Sequence, residues 1–186
     1  MVSQLLLILF QLRYNDERNE STQLLDGMSL RNNNLTAIRS SSNNSDYEPV
    51  FGTTSMQSGR SYWEIRIDKY VEHHDIILGI SLEGSPELRF DNIRFWGWIC
   101  TSGSKFMRSR PGGKHDVKEY GGTVKIGDTV GVLFEFKGEI GYLTFLKNGS
   151  SLGTCWNNIP PGKYNACAFL FYEGVQLSLN PNAKLN

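Results

Sequence analysis

An all-β fold, an antiparallel sandwich of two sheets, is what this sequence predicts, and three observations carry the prediction. Short apolar runs recur along most of the chain, several of them alternating hydrophobic and polar residues with the period of two that half-buried strands require. Turn residues punctuate these runs at short intervals, among them 19 glycines, an Asn-Gly pair and a Pro-Pro-Gly triplet. No stretch sustains the helical period long enough to make a long helix, and an aromatic share of 12% suits pleated strands.

The elements follow in order. Met28-Ser-Leu30 and Leu35-Thr-Ala-Ile38 flank Asn32-Asn-Asn34, and asparagine tolerates the positive φ that a tight hairpin turn demands. Ser40 to Asp46 reads as a solvated loop. Tyr62 to Asp68 gives the clearest alternation in the first half: Trp63, Ile65 and Ile67 share one face, and Glu64, Arg66 and Asp68 share the other. Ile76 to Leu82 is a more apolar strand, and Phe95 to Thr101 is a third, with Gly97 between Trp96 and Trp98. Ser102 to Gly122, rich in glycine, lysine and arginine, reads as a long loop. Thr129 to Phe136 then places Val130, Val132, Phe134 and Phe136 on one face. Ile140 to Leu146 and Ser151 to Trp156 flank Lys147-Asn-Gly-Ser150, and an Asn-Gly pair between apolar runs is the strongest short hairpin signal. Pro160-Pro-Gly162 turns the chain into a strand from Ala166 to Tyr172, and Val175, Leu177 and Leu179 alternate with polar residues to the end. About eight to twelve strands result, the pattern of an antiparallel sandwich. Trp63, Phe134, Phe136, Phe145 and Phe169 are expected to pack between the sheets.

A chain of 186 residues fits one such domain, assigned to residues 28–186, with residues 1–27 as an N-terminal extension of undecided structure. The 19 basic and 19 acidic side chains cancel, so no global field draws the chain to nucleic acid or to an anionic membrane. Leu5 to Phe10 is the longest apolar run and falls far short of the roughly 18 residues that span a bilayer. It also lacks the basic start and small-residue cleavage site of a signal peptide, so the Asn-x-Ser/Thr triplets at Asn19, Asn34, Asn43 and Asn148 are not expected to carry glycans. Cys100, Cys155 and Cys167 are odd in number and widely spaced, which argues against a disulfide framework and for a reducing compartment, cytoplasmic or nuclear.

A series of motifs in fixed order resembles the SPRY domain family. It runs through Ser58-Gly-Arg-Ser-Tyr-Trp-Glu-Ile65, Ile77-Leu-Gly-Ile-Ser81, Phe95-Trp-Gly-Trp98, Tyr120-Gly121 and Gly127-Asp-Thr-Val-Gly-Val132. It continues with Gly141-Tyr-Leu-Thr-Phe-Leu-Lys-Asn-Gly149, Leu152-Gly153 and Glu173-Gly-Val-Gln-Leu-Ser-Leu-Asn180, so that the resemblance covers about residues 28 to 182. Lys163-Tyr-Asn165 departs from it by lacking the proline that often follows this tyrosine, and residues 1–27 have no counterpart. The resemblance implies a bent, concanavalin-like sandwich of two antiparallel sheets whose loops bind proteins, and members that serve as ubiquitin-ligase substrate receptors or scaffolds. No RING, F-box or SOCS-box segment is apparent in this chain.

Catalytic constellations are sparse. His73-His74 stands beside Asp75, but adjacent side chains on an extended chain point to opposite faces and do not converge on a metal. His115 has no serine or cysteine partner nearby in the sequence, and phosphate-binding glycine loops, zinc helices and nucleophile turns are absent. No catalytic residue, metal ligand or cofactor is therefore assigned. Lys105, Arg108, Arg110 and Lys114 cluster beside Phe106 and Met107, a composition that suits an acidic or phosphorylated peptide, RNA, or a solvated loop.

The expected function is a non-catalytic module that binds a short segment of a partner protein through inter-sheet loops. Arg89, Phe90, Arg94, Trp96, Phe106, Arg108, Arg110 and Tyr172 are the expected contact residues, because arginines and aromatics dominate interface hot spots. The alternative is a carbohydrate-binding, lectin-like domain, since sandwiches of similar outline bind sugars and exposed tryptophans stack on them.

Overall fold

The computed structural model describes residues 10–11, 27–41, 46–71, 76–84, 90–108 and 116–185. Fourteen strands form among them, all paired antiparallel with their neighbours. The first sheet runs, edge to edge, Phe10–Gln11 (β1), Glu48–Met56 (β4), Tyr164–Leu170 (β13), Ile76–Leu82 (β6), Phe95–Ile99 (β7), Ser104–Arg108 (β8) and Asp116–Glu119 (β9). The second runs Ser150–Ile159 (β12), Ile140–Lys147 (β11), Thr129–Lys137 (β10), Arg60–Lys69 (β5), Gln176–Leu179 (β14), Thr36–Arg39 (β3) and Met28–Arg31 (β2). The single helical turn among the described residues is the 3-10 turn Phe90–Asn92.

Local chemistry sets the hairpins. Asn148 and Gly149, at φ 51 and 80, close β11 onto β12, and Asn32, Asn33 and Asn34 hold φ of 53, 54 and 63 between β2 and β3. Both turns need the left-handed region, which asparagine and glycine enter at least cost. The Asn148 side chain also ties the hairpin to its neighbour: its Oδ1 accepts the Thr129 amide at 2.8 Å and its Nδ2 donates to Asp128 Oδ1 at 2.8 Å.

Burial alone would raise the Asp128 carboxyl, but bonds from Asn148 and the Lys125 amide, together with the Lys147 ammonium, outweigh it and hold the group below its ordinary value. A depressed folded value means that the stabilisation is present above the unfolded value of about 3.9 and is lost as pH falls through the folded one. Asp128→Asn is therefore expected to cost about 1 kcal/mol at neutral pH and less near pH 2. Paired urea titrations at the two pH values check this.

Alternation along the strands builds two apolar layers. Between the sheets lie Trp63, Ile65 and Ile67 of β5, Val130, Val132 and Phe134 of β10, Leu143 and Phe145 of β11, and, from the first sheet, Leu78, Ile80, Trp96, Trp98, Tyr164 and Ala168. The first sheet buries its other face as well, where Phe51, Ile77, Phe95, Ile99, Phe106, Cys167 and Phe169 form a second cluster roofed by Phe90 and Ile93.

This second layer accounts for the points at which the structure departs from the sequence reading. Phe169 packs in the outer cluster rather than between the sheets. The stretch expected to be loop from Ser102 to Gly122 contains the paired strands β8 and β9. β4 carries no alternating signal because Val50 serves the inner layer and Phe51 the outer one. Separately, in the stretch 1–27 whose structure the sequence leaves undecided, Phe10 and Gln11 pair with Gly52 and Phe51.

Candidate protein interface

Strand direction sorts the loops into two groups. Connections leaving Arg39, Lys69, Ile99, Glu119, Lys147 and Leu170 gather at one end of the sandwich, here the first end. Those leaving Arg31, Met56, Leu82, Arg108, Lys137 and Ile159 gather at the other.

At the first end the loops are held from beneath. Gly174, at φ 82, donates its amide to Arg39 O at 2.8 Å, and the Arg39 amide donates to Val175 O at 2.9 Å. Arg39 itself is buried and pairs with Glu48 at 3.2 Å. Val124 donates its amide to Cys100 O and accepts the Tyr70 hydroxyl at 3.2 Å, while Gly127 donates to Ile67 O at 2.8 Å. These ties fix the segment around Ile126 and the segment around Tyr172 in place. Val71, Ile126 and Tyr172 remain 55%, 58% and 36% exposed, three of the four large apolar side chains so exposed among the described residues.

An aromatic chain links Tyr172 to the outer cluster. Its ring meets Phe171 at 4.7 Å between centroids, Phe171 meets Tyr47 at 4.9 Å, and Tyr47 meets Phe90 at 4.7 Å. Phe90 in turn contacts Phe95, Phe106 and Phe169 at 5.2 to 5.8 Å.

The six described residues among the eight expected to make contact do not form one patch. Tyr172 stands at the first end and Arg94 is exposed at the second, where its guanidinium opposes the burial that pushes the Tyr164 phenol up to about 12. Phe90, Trp96, Phe106 and Arg108 are all buried and pack from within rather than standing at the surface. Trp96 faces the inner core against Tyr164, and Phe106 stacks on Phe95 at 5.2 Å. Arg108 donates Nη1 to Phe90 O at 2.9 Å and to Asp91 Oδ1 at 2.6 Å, with its guanidinium 4.7 Å from the Phe90 ring. Arg89, Arg110, His73, His74 and His115 lie outside the described residues.

Val71 and Ile126 escaped the sequence reading, since an isolated aliphatic residue in a loop gives no local sign of its exposure. Cys100, Cys155 and Cys167 are buried and form no disulfide with one another, and burial pushes the Cys155 and Cys167 thiols up, away from the thiolate that nucleophilic chemistry needs. Among the described residues, no group of three His, Cys, Asp or Glu side chains is placed to hold a metal ion. No helix among them is long and apolar enough to cross a membrane.

The two sheets and their braced end loops define an antiparallel β-sandwich scaffold. The family model of the SPRY domain matches residues 60–182, well over half of the chain, and the chain belongs to that family, which is generally a protein-interaction module. Solved structures agree in fold. The SPRY domain of human HERC1 is 13% identical with a TM-score of 0.64, covering 82% of this chain and 91% of that one. A human SPRY domain is 16% identical with a TM-score of 0.64, covering 86% and 98%. The TRIM65 PSpry domain is 16% identical with a TM-score of 0.61, covering 93% and 88%.

Proposed function

We propose that this chain is a non-catalytic recognition module that binds a short segment of a partner protein at the first end of the sandwich, acting as a substrate receptor or scaffold subunit in the cytoplasm or nucleus. The carrying observation is the gathering of Val71, Ile126 and Tyr172 in loops at one end. Large apolar side chains left in water on a rigid scaffold mark interaction sites, and loops on a sandwich are where such sites reside. The aromatic support beneath Tyr172 adds pre-organisation, which raises affinity without new contacts.

The test is affinity capture with the purified chain, followed by single substitutions. Tyr172→Ala and Ile126→Ser are expected to reduce capture of the bound proteins about tenfold or more, as hot-spot residues do, while the melting temperature stays within about 2 °C. Retention of every captured protein by both variants overturns this placement of the site. Arg94→Ala, at the opposite end, serves as the control and is expected to leave capture unchanged.

A further inference from the structure

The outward face of the second sheet is more organised than a solvated surface requires. In register across β5, β10 and β14, Glu64 stands opposite Gly131, and Arg66 stands opposite both Thr129 and Ser178. Arg66, Thr129, Ser178, Leu179, Asn180 and Pro181 line an open depression of about 330 Å³. That size falls in the range of small-molecule sites, about 300–1,000 Å³.

Its polar groups are held by one another. Asp68 accepts Arg66 Nε at 2.6 Å, Ser178 Oγ at 2.5 Å and Gln176 Nε2 at 3.3 Å. Glu64 accepts the Tyr62 hydroxyl at 2.7 Å and Asn180 Nδ2 at 2.7 Å. The Tyr62 ring lies over bare Gly131, where a Cβ would come within 2.5 Å of the phenol oxygen.

From these observations we infer a binding site for a neutral saccharide on this sheet face, in the depression lined by Arg66, Thr129, Ser178 and Asn180, with Glu64 and Tyr62 beside it. Charge selects the class of ligand. At the depression one guanidinium, Arg66, stands with two carboxylates, Glu64 and Asp68, so this trio carries 1 − 2 = −1 and does not draw phosphate or carboxylate ligands. A ligand rich in adjacent hydroxyls matches what remains. Arg66 engages Asp68 through Nε alone, so its terminal amino groups are left to donate to neighbouring oxygens. Each Glu64 oxygen accepts one bond and retains a lone pair for a hydroxyl donor. The half-buried Tyr62 ring supplies an apolar surface beside these groups, of the kind that packs on the C–H face of a sugar ring.

The tryptophans that suggested sugar stacking from the sequence are not involved. Trp63, Trp96 and Trp98 are buried, and Trp156 donates its indole N–H to Gly97 O at 3.1 Å. The site lies on a sheet face rather than in the loops, so it goes beyond the protein-binding reading and stands or falls independently of it.

The test is protein-observed NMR on the full chain with free glucose, galactose, mannose and N-acetylglucosamine, and with acetate and inorganic phosphate as anionic comparisons. At least one neutral sugar is expected to shift the amide signals of Tyr62, Arg66, Thr129 and Asn180 in a saturable manner. Arg66→Ala and Glu64→Gln are each expected to weaken that response about tenfold, the loss of one or two hydrogen bonds. Gly131→Ala, whose methyl displaces Tyr62 without removing any ligand-binding group, is expected to weaken it as well; a melting curve confirms that each variant is folded. Capture of protein partners is expected to be unchanged in all three. No response to any of the four sugars, shifts confined to other residues, or saturable binding of acetate or phosphate in their place overturns the inference.

Discussion

Replacing Trp98 with alanine is expected to destabilise the domain by about 3–5 kcal/mol, the usual cost of emptying a large buried aromatic site. Trp98 is fully buried, packs on Phe145 at 5.5 Å and Tyr120 at 5.9 Å between centroids, and sits where the two sheets meet. Its surroundings have little room to collapse. Gly97 beside it faces Gly79 across β6 and β7, and these strands approach so closely that a Cβ on Gly79 would lie 2.1 Å from Trp96 O. Tyr120 is anchored by a 2.6 Å bond to Gly153 O, so it does not swing in to fill the space. With about 2–4 °C of melting temperature per kcal/mol for a chain of this size, a fall of roughly 10 °C is expected by calorimetry. A loss under about 1 kcal/mol would mean that the sheets slide together at this point, and would reject the rigid packing described above.

The same Gly79 and Gly97 show why so much of the fold was legible in the sequence. Close strand approach, positive φ and half-burial each demand particular residue types, so Gly97 between two tryptophans, Asn148-Gly149 and the alternation of Tyr62 to Asp68 announce their structures locally. Where burial has two sides, the local signal disappears. β4 and β8 contribute to both layers of the first sheet, so their residues are apolar or neutralised without period, and the lysines and arginines of β8 give it the composition of a loop.

The candidate interface was less legible for a related reason. Selecting arginines and aromatics as hot spots presumes that they reach the surface, whereas the outer layer of the first sheet absorbs Phe90 and Phe106 into its own packing. The exposed apolar residues that mark the first end, Val71 and Ile126, are aliphatic, and only the topology brings them to the same end as Tyr172. Likewise the alternation of β5 predicted a polar outward face, but not the Asn180 and Ser178 partners, which lie more than a hundred residues away in sequence.

Arg108 separates a contact role from a structural one. Only 4% of the residue is exposed, and its guanidinium joins the end of β8 to the 3-10 turn that carries Phe90. Removing one partner of a buried ion pair costs about 3–5 kcal/mol when the other charge is stranded in the interior. Asp91 is 69% exposed and rehydrates freely, so Arg108→Ala is expected to cost less, about 2–3 kcal/mol, from the lost bond to Phe90 O and the emptied space over the ring. Asp91→Asn is the informative complement. It leaves the buried guanidinium with a neutral acceptor, so it is expected to destabilise by about 1 kcal/mol although the replaced side chain is mostly in water. The two substitutions share one interaction, and the double variant is expected to cost measurably less than the sum of the singles in urea titrations. Were Arg108 a partner contact, its alanine variant would keep its stability and lose capture. The buried geometry predicts the reverse: a lowered melting temperature, with capture retained while the domain is folded.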